Sequence, residues 1–501
     1  MAELFRPLAV LLVSGSCALA QSSLPDAGRL IQQGEARLGA APGMVVLSQP
    51  SRLGANLTLG AGHGLRIEAP LTVGKASIQL AGHNEIRCEA PITAENATDL
   101  FVADGVTDVS VRGCDVTVAG QRGGYLLTAT RAARVVATDN HLVNMAIFNT
   151  HNPGGPKNQT TDVTITGNST EFTPGPGGPP IGVYLMYVLR ATVANNRFRG
   201  TGHGIEWWGG DSNAGWRSAA DVTNAGNLSI TGNECSNAGG SCVWGSMGFD
   251  ITVSGNTAEF CGDVCFDTEG GVRNLFIGNT ARACGNGCYA AEFESMDATF
   301  TGNLAYADAE AKTSALVLIK HPSGRGPNHV NLTITGNTLT CGTICAAFYS
   351  EGEDGLVFAN NTLTNAVIAF TNYTNSAEIR SNTLRFTQPL GTAAALGGPL
   401  LANGHRSEIS ENTIVNEAPG IGDASCIGQA WADNNSTDEM RIERNTCIGF
   451  PHGIVTETAG HNAGAPHAVW ILNGNGFSDV PEAQQLIHRH TSGNEIYTAP
   501  K

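Results

Sequence analysis

Three ionisable residues, Glu269, Glu292 and Lys320, occupy one place in a repeating pattern. Each stands four residues beyond a member of an apolar series that reads Ile205, Cys242, Cys265, Cys288, Leu316, Cys345, Ile368, Leu400, Cys426, Ile454. If that series is a stack of core residues on adjacent β-strands about 4.8 Å apart, the positions four further on form a row of their own. It reads Gly209, Ser246, Glu269, Glu292, Lys320, Tyr349 and turns charged in its middle. Two neighbouring carboxyls with separated pKa values can divide the work of proton donor and of nucleophile or charge stabiliser. Asp267 and His321 flank them, with Glu294 and Glu351 close by. Lys320 or His321 could instead take the proton α to a uronate carboxylate and start β-elimination. The same row could be a surface charge ladder, or stacked carboxylates holding calcium; no metal ligand set is assigned. A bulge between the core residue and the Glu would turn the row inward, where the charges would demand buried partners.

Two lengthened stretches point to the same edge. One follows Glu206-Trp207-Trp208 and carries Asp211, Trp216 and Arg217; the other follows Lys320-His321 and carries Arg325 and His329. Trp207, Trp208 and Trp216 are half of the six tryptophans of the chain, and such rings stack on sugar faces or pack a loop onto its scaffold. His203 opens this stretch within Gly202-His203-Gly204. The expected substrate-binding set is therefore His203, Glu206, Trp207, Trp208, Asp211, Trp216, Arg217 and Arg325.

The elements that must position these groups come from a repeat. The phrase apolar-Thr-Gly-Asn ends at Asn168, Asn233, Asn303 and Asn337, and variants of it end at Asn256 and Asn279. Weaker copies end at Asn140, Asn196, Asn361, Asn382, Asn412, Asn445 and Asn475. The marks lie 21 to 37 residues apart, room for three short strands and three bends per turn. Glycine supplies a left-handed bend, and stacked asparagines can bond along the axis as a ladder, so these Asn residues are read as structural. This pattern resembles the pectin-lyase-like superfamily of right-handed parallel β-helices, over residues 44–478. The resemblance implies an all-β solenoid, with residues 21–43 as an N-terminal cap carrying a short helix over Asp26–Leu38 and residues 479–501 as a C-terminal cap or tail. About a dozen coils are expected from the Asn marks. Polygalacturonases of the superfamily carry Asn-Thr-Asp, Asp-Asp, Gly-His-Gly and Arg-Ile-Lys. Here Gly202-His203-Gly204 and Leu318-Ile319-Lys320 occur without any Asp-Asp, so that mechanism does not carry over.

Residues 1–20 read as an export signal: Arg6, the apolar run Leu8 to Val13, then Ala18-Leu19-Ala20 before Gln21. Its removal takes Cys17 and leaves twelve of the 13 cysteines, an even number that suits disulfides outside the cytosol. The spacing shared by Cys261/Cys265, Cys284/Cys288 and Cys341/Cys345 predicts a link within each repeat. The formal net charge of −16 argues against nucleic acid and anionic membranes as partners. The chain is expected to be a secreted monomer that meets a polysaccharide or oligosaccharide and cleaves it by hydrolysis or β-elimination. The alternatives are a non-catalytic glycan-binding or surface-structural β-helix and, with less support from its scattered His, a metal-handling one.

Overall fold

A computed structural model describes residues 24–151, 154–174, 178–212 and 219–307 and, beyond these, 315–320, 329–350, 353–370, 376–390, 400–402, 406–418, 424–429, 439–456, 469–480, 487–488 and 495–498. Within them one helix, Ala27–Leu38, precedes the strands. Asp26 caps it by accepting from the backbone N–H of Gly28 (2.8 Å) and Arg29 (3.3 Å), and Gly39 closes it at φ 63°. Ala27 and Ile31 bury the helix against the first coil, covering the apolar end that an open solenoid would expose.

After the helix the chain winds in coils of short strands. One coil contains Val188–Ala194, Arg197–Arg199 and Ile205–Trp208; the next contains Ala225–Thr231, Glu234–Ser236 and Val243–Ser246. Each strand pairs in parallel with its counterpart one coil on, as in Val193↔Ile230, Phe198↔Cys235 and Ile205↔Val243. Alternation sends Ile230, Leu228 and Val193 inward and the residues between them outward. The chain is a right-handed parallel β-helix. One sheet holds 19 strands, two of which (His329–Val330 and Thr333–Thr335) share a coil, so the described residues form 18 coils rather than about a dozen. The Asn marks begin only at Asn140 and cannot count the coils before it. Pairing also runs past residue 478, through Val455↔Ile487 and Trp470↔Ile496.

The asparagines are joined without a break from Asn140 to Asn475. Asn168 is typical: its backbone N–H and its Nδ2 both donate to Oδ1 of Asn196 (3.0 and 2.9 Å), and Nδ2 also donates to the carbonyl of Ala137 (3.0 Å). The preceding glycines, among them Gly167, Gly232 and Gly255, take φ of 62° to 68°. The Asn ladder is therefore buried scaffold.

The core row needs a correction. Ile205 aligns with Val243, Phe266, Tyr289, Val317, Phe348 and Ile368, so Cys242, Cys265 and Cys288 stand one residue earlier, also buried, at the bend. The disulfides differ as well. Cys341–Cys345 is a link within its repeat as expected, across a register shift in the strand Thr338–Ser350, but Cys88–Cys114, Cys265–Cys284 and Cys426–Cys447 tie successive coils, and Cys235, Cys242, Cys261 and Cys288 are buried thiols. Stacking at about 4.8 Å brings a cysteine as near to the next coil as to its own bend, so spacing along the chain does not choose between them. Among the described residues no helix is long and apolar enough to cross a membrane.

Candidate active site on the outer face of one sheet

The strands Tyr125–Thr130, Ala146–Asn149, Val183–Met186, Ile205–Trp208, Val243–Ser246, Phe266–Glu269, Gly287–Glu292 and Ala315–Lys320 follow one another in a single sheet. On Ile205–Trp208, Ile205 and Trp207 enter the core and Glu206 and Trp208 face out; on Phe266–Glu269, Phe266 and Thr268 enter and Asp267 and Glu269 face out. Two outward rows result. One runs Tyr184, Glu206, Trp244, with Asp267 one place beyond Phe266, the partner of Val243. The other runs Met186, Trp208, Ser246, Glu269, Glu292, Lys320.

Although they face outward, Glu206 and Asp267 are only 6 % and 5 % exposed. Burial, reinforced by the charge of Glu269, pushes Glu206 up to about 8. No described group donates a hydrogen bond to it. Burial, with Glu292 and Glu269 adding repulsion, also holds Asp267 well above the usual carboxylate range, and its Oδ1 has no partner among the described residues. Glu269 differs. It accepts from Trp244 Nε1 (3.0 Å) and from Ser212 Oγ (2.8 Å), and both bonds favour its charged form against the burial that raises it. Ser212 is itself fixed, its N–H donating to Ser246 Oγ (3.2 Å), which donates to the Gly210 carbonyl (2.7 Å).

An aromatic wall adjoins the carboxyls. Trp244 stacks on His203 at 5.6 Å and meets Trp208 at 6.0 Å. The Ser241 N–H donates to His203 Nδ1 (3.0 Å), which leaves the ring proton on Nε2, and burial lowers the His203 pKa and favours this neutral form. A carboxyl kept protonated, a carboxylate held by two donors, and an indole wall beside both can donate a proton to a leaving oxygen while a second group attacks or activates water.

No family model and no curated protein matches the chain. Among solved structures it is similar to the tailspike protein of E. coli bacteriophage HK620 in complex with pentasaccharide, with 11% identity over 86% of this chain and 74% of that one and a TM-score of 0.42. It is similar to DFA-IIIase from Arthrobacter chlorophenolicus A6 in complex with GF2 (12% identity, 96% and 98% covered, TM-score 0.33). It is likewise similar to the A-module of a mannuronan C-5 epimerase from Azotobacter vinelandii (13% identity, 95% and 96% covered, TM-score 0.26). All three are right-handed parallel β-helix proteins.

Of the residues singled out in the sequence, the fold places Glu269, Glu292 and Lys320 side by side in register, and Asp267, Glu206, Trp208 and His203 on or beside the same face. Two row members change. Trp208, not Gly209, aligns with Ser246, and a register shift in the strand Thr338–Ser350 puts Tyr349 beside Leu318 instead of Lys320. Trp207 is a correction of another kind: it is 0 % exposed and belongs to the core, so it offers no face to a sugar. Gly245, its partner in register, makes room for it, since a Cβ there would lie 2.0 Å from the indole. Asp211 is exposed, at the edge of the site. Trp216, Arg217, His321, Arg325 and the side chain of Lys320 lie outside the described residues. Trp244, Ser212 and Tyr184 were missed. Reading the outward row two residues before Glu269 in each coil would have found Tyr184, Trp244 and Asp267 together. Among the described residues no three His, Cys, Asp or Glu side chains are gathered to hold a metal ion, so the stacked-carboxylate calcium site is not assembled there.

Proposed function

We propose that this protein is an exported glycoside hydrolase, with Glu206 as general acid and Glu269 as the ionised partner, acting on a glycan laid across the outer face beside Trp208 and Trp244. One observation carries the reading: two carboxyls on one face in unlike surroundings, both raised by burial, Glu206 up to about 8 with no donor among the described residues and Glu269 with two donors that counter its burial. Glu206 and Glu269 stand two strands and two residues apart, roughly 12 Å between backbones, so their side chains must reach toward each other across Asp267. That spacing suits a water between acid and base, and so inversion at the anomeric carbon, better than a covalent intermediate. Asp267, held neutral beside Glu269, would donate to a sugar hydroxyl or to that water. Hydrolysis is favoured over elimination because the ionised Glu269 on this face would repel a uronate.

The test is a panel of neutral and uronic polysaccharides, read for new reducing ends and for the absorbance of unsaturated uronides, with the parent, Glu206→Gln and Glu269→Gln proteins. Reducing ends from a neutral glycan with the parent alone support the assignment. Unsaturated products would replace it with elimination. Binding without cleavage by the parent would favour a glycan-binding β-helix.

A further inference from the structure

The row that ends in Glu206 continues toward the N-terminal coils. Gln79, Val102, Thr128, Asn149, Tyr184 and Glu206 are successive partners in register, five steps that span about 24 Å along the axis. A cleft of about 700 Å³ opens over the first four of them and is lined further by Asp99, Asp104 and Arg131. Tyr184 stands between Asn149 and Glu206 in register, and the charge of Glu206 reaches the phenols of both Tyr184 and Tyr125. Burial and the Glu206 charge raise both, and Asp99 adds to the effect on Tyr125, so Tyr125 lies within the fields of both carboxylates.

Asn149 is 8 % exposed, faces outward from its strand, lines this cleft, and its Oδ1 has no hydrogen-bond partner among the described residues. A buried amide oxygen left without a donor costs free energy that a ligand hydroxyl recovers. Nearby groups are already engaged. Thr128 Oγ1 donates to Asp99 Oδ2 (2.8 Å), and Arg131 closes on Asp104 through Nε (2.9 Å) and a terminal nitrogen (2.5 Å). Among the described residues lining the cleft, the one arginine or lysine is thus already paired, while Asp99 adds a further carboxylate that disfavours a carboxylated sugar.

Building on the proposed hydrolase reading, we infer that this cleft is a remote sugar subsite: Asn149 Oδ1 accepts a hydroxyl of an uncharged sugar unit, and the chain of a neutral oligosaccharide runs from there along the helix axis, past Tyr184, to Glu206. The enzyme then prefers substrates long enough to reach Asn149.

The experiment uses full-length mature protein and size-graded neutral oligosaccharides of the α-glucan, β-glucan and fructan types. Catalysis is followed by kcat/KM, and binding by tryptophan fluorescence of the Glu269→Gln protein. The expected result is a rise of kcat/KM with chain length that Asn149→Ala flattens, with a loss of roughly 3- to 12-fold on the longer members carried in KM. Binding of long oligomers to Asn149→Ala/Glu269→Gln weakens by the same factor. Because Asn149 is buried, the exposed Arg131→Ala, which alters the same cleft, is measured beside it, and thermal melts show whether each variant is folded. Cleavage with no dependence on chain length, or with Asn149→Ala and Arg131→Ala both indistinguishable from the parent, overturns the subsite and leaves the hydrolase reading in place. Length-dependent binding lost in Asn149→Ala, but with no cleavage by the parent, upholds the subsite and overturns the hydrolase. Uronic oligomers binding more tightly than neutral ones of equal length overturn the assigned ligand class.

Discussion

Glu206 is the group on which the chemistry turns, and its protonation can be worked out from its surroundings. A carboxyl with an ordinary pKa of 4.5 is about 0.3% protonated at pH 7, whereas one at about 8 is about 90% protonated and available as an acid. The difference between the two environments corresponds to about 5 kcal/mol against ionisation in the fold. The sign for stability follows. The folded state holds this proton more tightly than the unfolded chain, so Glu206 costs nothing below pH 4.5 and costs progressively more between pH 4.5 and about 8, at up to about 1.4 kcal/mol per pH unit. Above that window the penalty is constant. Glu206→Gln keeps the shape and removes the ionisation, so the stability of the variant relative to the parent should grow from pH 5 to pH 8 and then level off. Two measurements check this: urea unfolding of both proteins across that pH range, and difference infrared spectroscopy of the carboxyl stretch of the parent, which should titrate near pH 8. In turnover, the alkaline limb of kcat/KM should fall through the same region and vanish with Glu206→Gln, together with most of the activity. A carboxyl band that titrates near pH 4.5, with a stability difference that does not change with pH, would refute the burial argument and with it the role of Glu206 as acid.

Glu269→Gln should lower kcat by at least about 100-fold while glycan affinity, read by fluorescence, changes little; normal turnover would return the search to Asp267 and Glu292. Gly245→Ala should destabilise the protein by about 3 kcal/mol, because the new Cβ collides with Trp207 at 2.0 Å and must push apart the strands bearing Trp208 and Trp244. Asn256→Ala should cost at least about 3 kcal/mol in urea unfolding, since it strips bonds to Asn233, Asn279 and Ile230 from buried groups. Thiol titration of the mature, unreduced protein should count four thiols in denaturant and almost none when folded, because burial raises Cys242, Cys261 and Cys288; six or more would contradict the pairing described here.

The scaffold was legible because its signal repeats. Each Gly-Asn mark requires a left-handed bend and a buried amide, and many copies together admit few architectures. The charged row survived an error in the core register because Cys265, Cys288 and Leu316 were all displaced by one residue in the same direction. Where the displacement was not shared, at Ile205 and at the bulged strand holding Cys345, the row slipped. Trp207 misled because two adjacent tryptophans on a strand must point to opposite faces, and nothing in the pair itself says which is inside. What makes the inner one fit is Gly245, a whole coil away in sequence. Trp244 and Ser212 stayed hidden for the related reason that their importance lies in reaching Glu269 across coils.

The asparagine ladder also has a direction. In every rung the earlier coil donates and the later coil accepts: Asn140 to Asn168, Asn168 to Asn196, and so on to Asn445 and Asn475. A coil that has just closed therefore presents unspent N–H groups toward the part of the chain still to arrive, and the next asparagine completes them with its oxygen. Because synthesis delivers the chain from the helix-capped end, each finished level is a template for its successor. Growth from the opposite end would start from an asparagine oxygen with nothing to accept and only the Nδ2 bond to a carbonyl of the earlier coil, as from Asn168 to Ala137, to recruit the next level, so a circular permutant opened in mid-solenoid should assemble more slowly than the natural order even where its final contacts are the same.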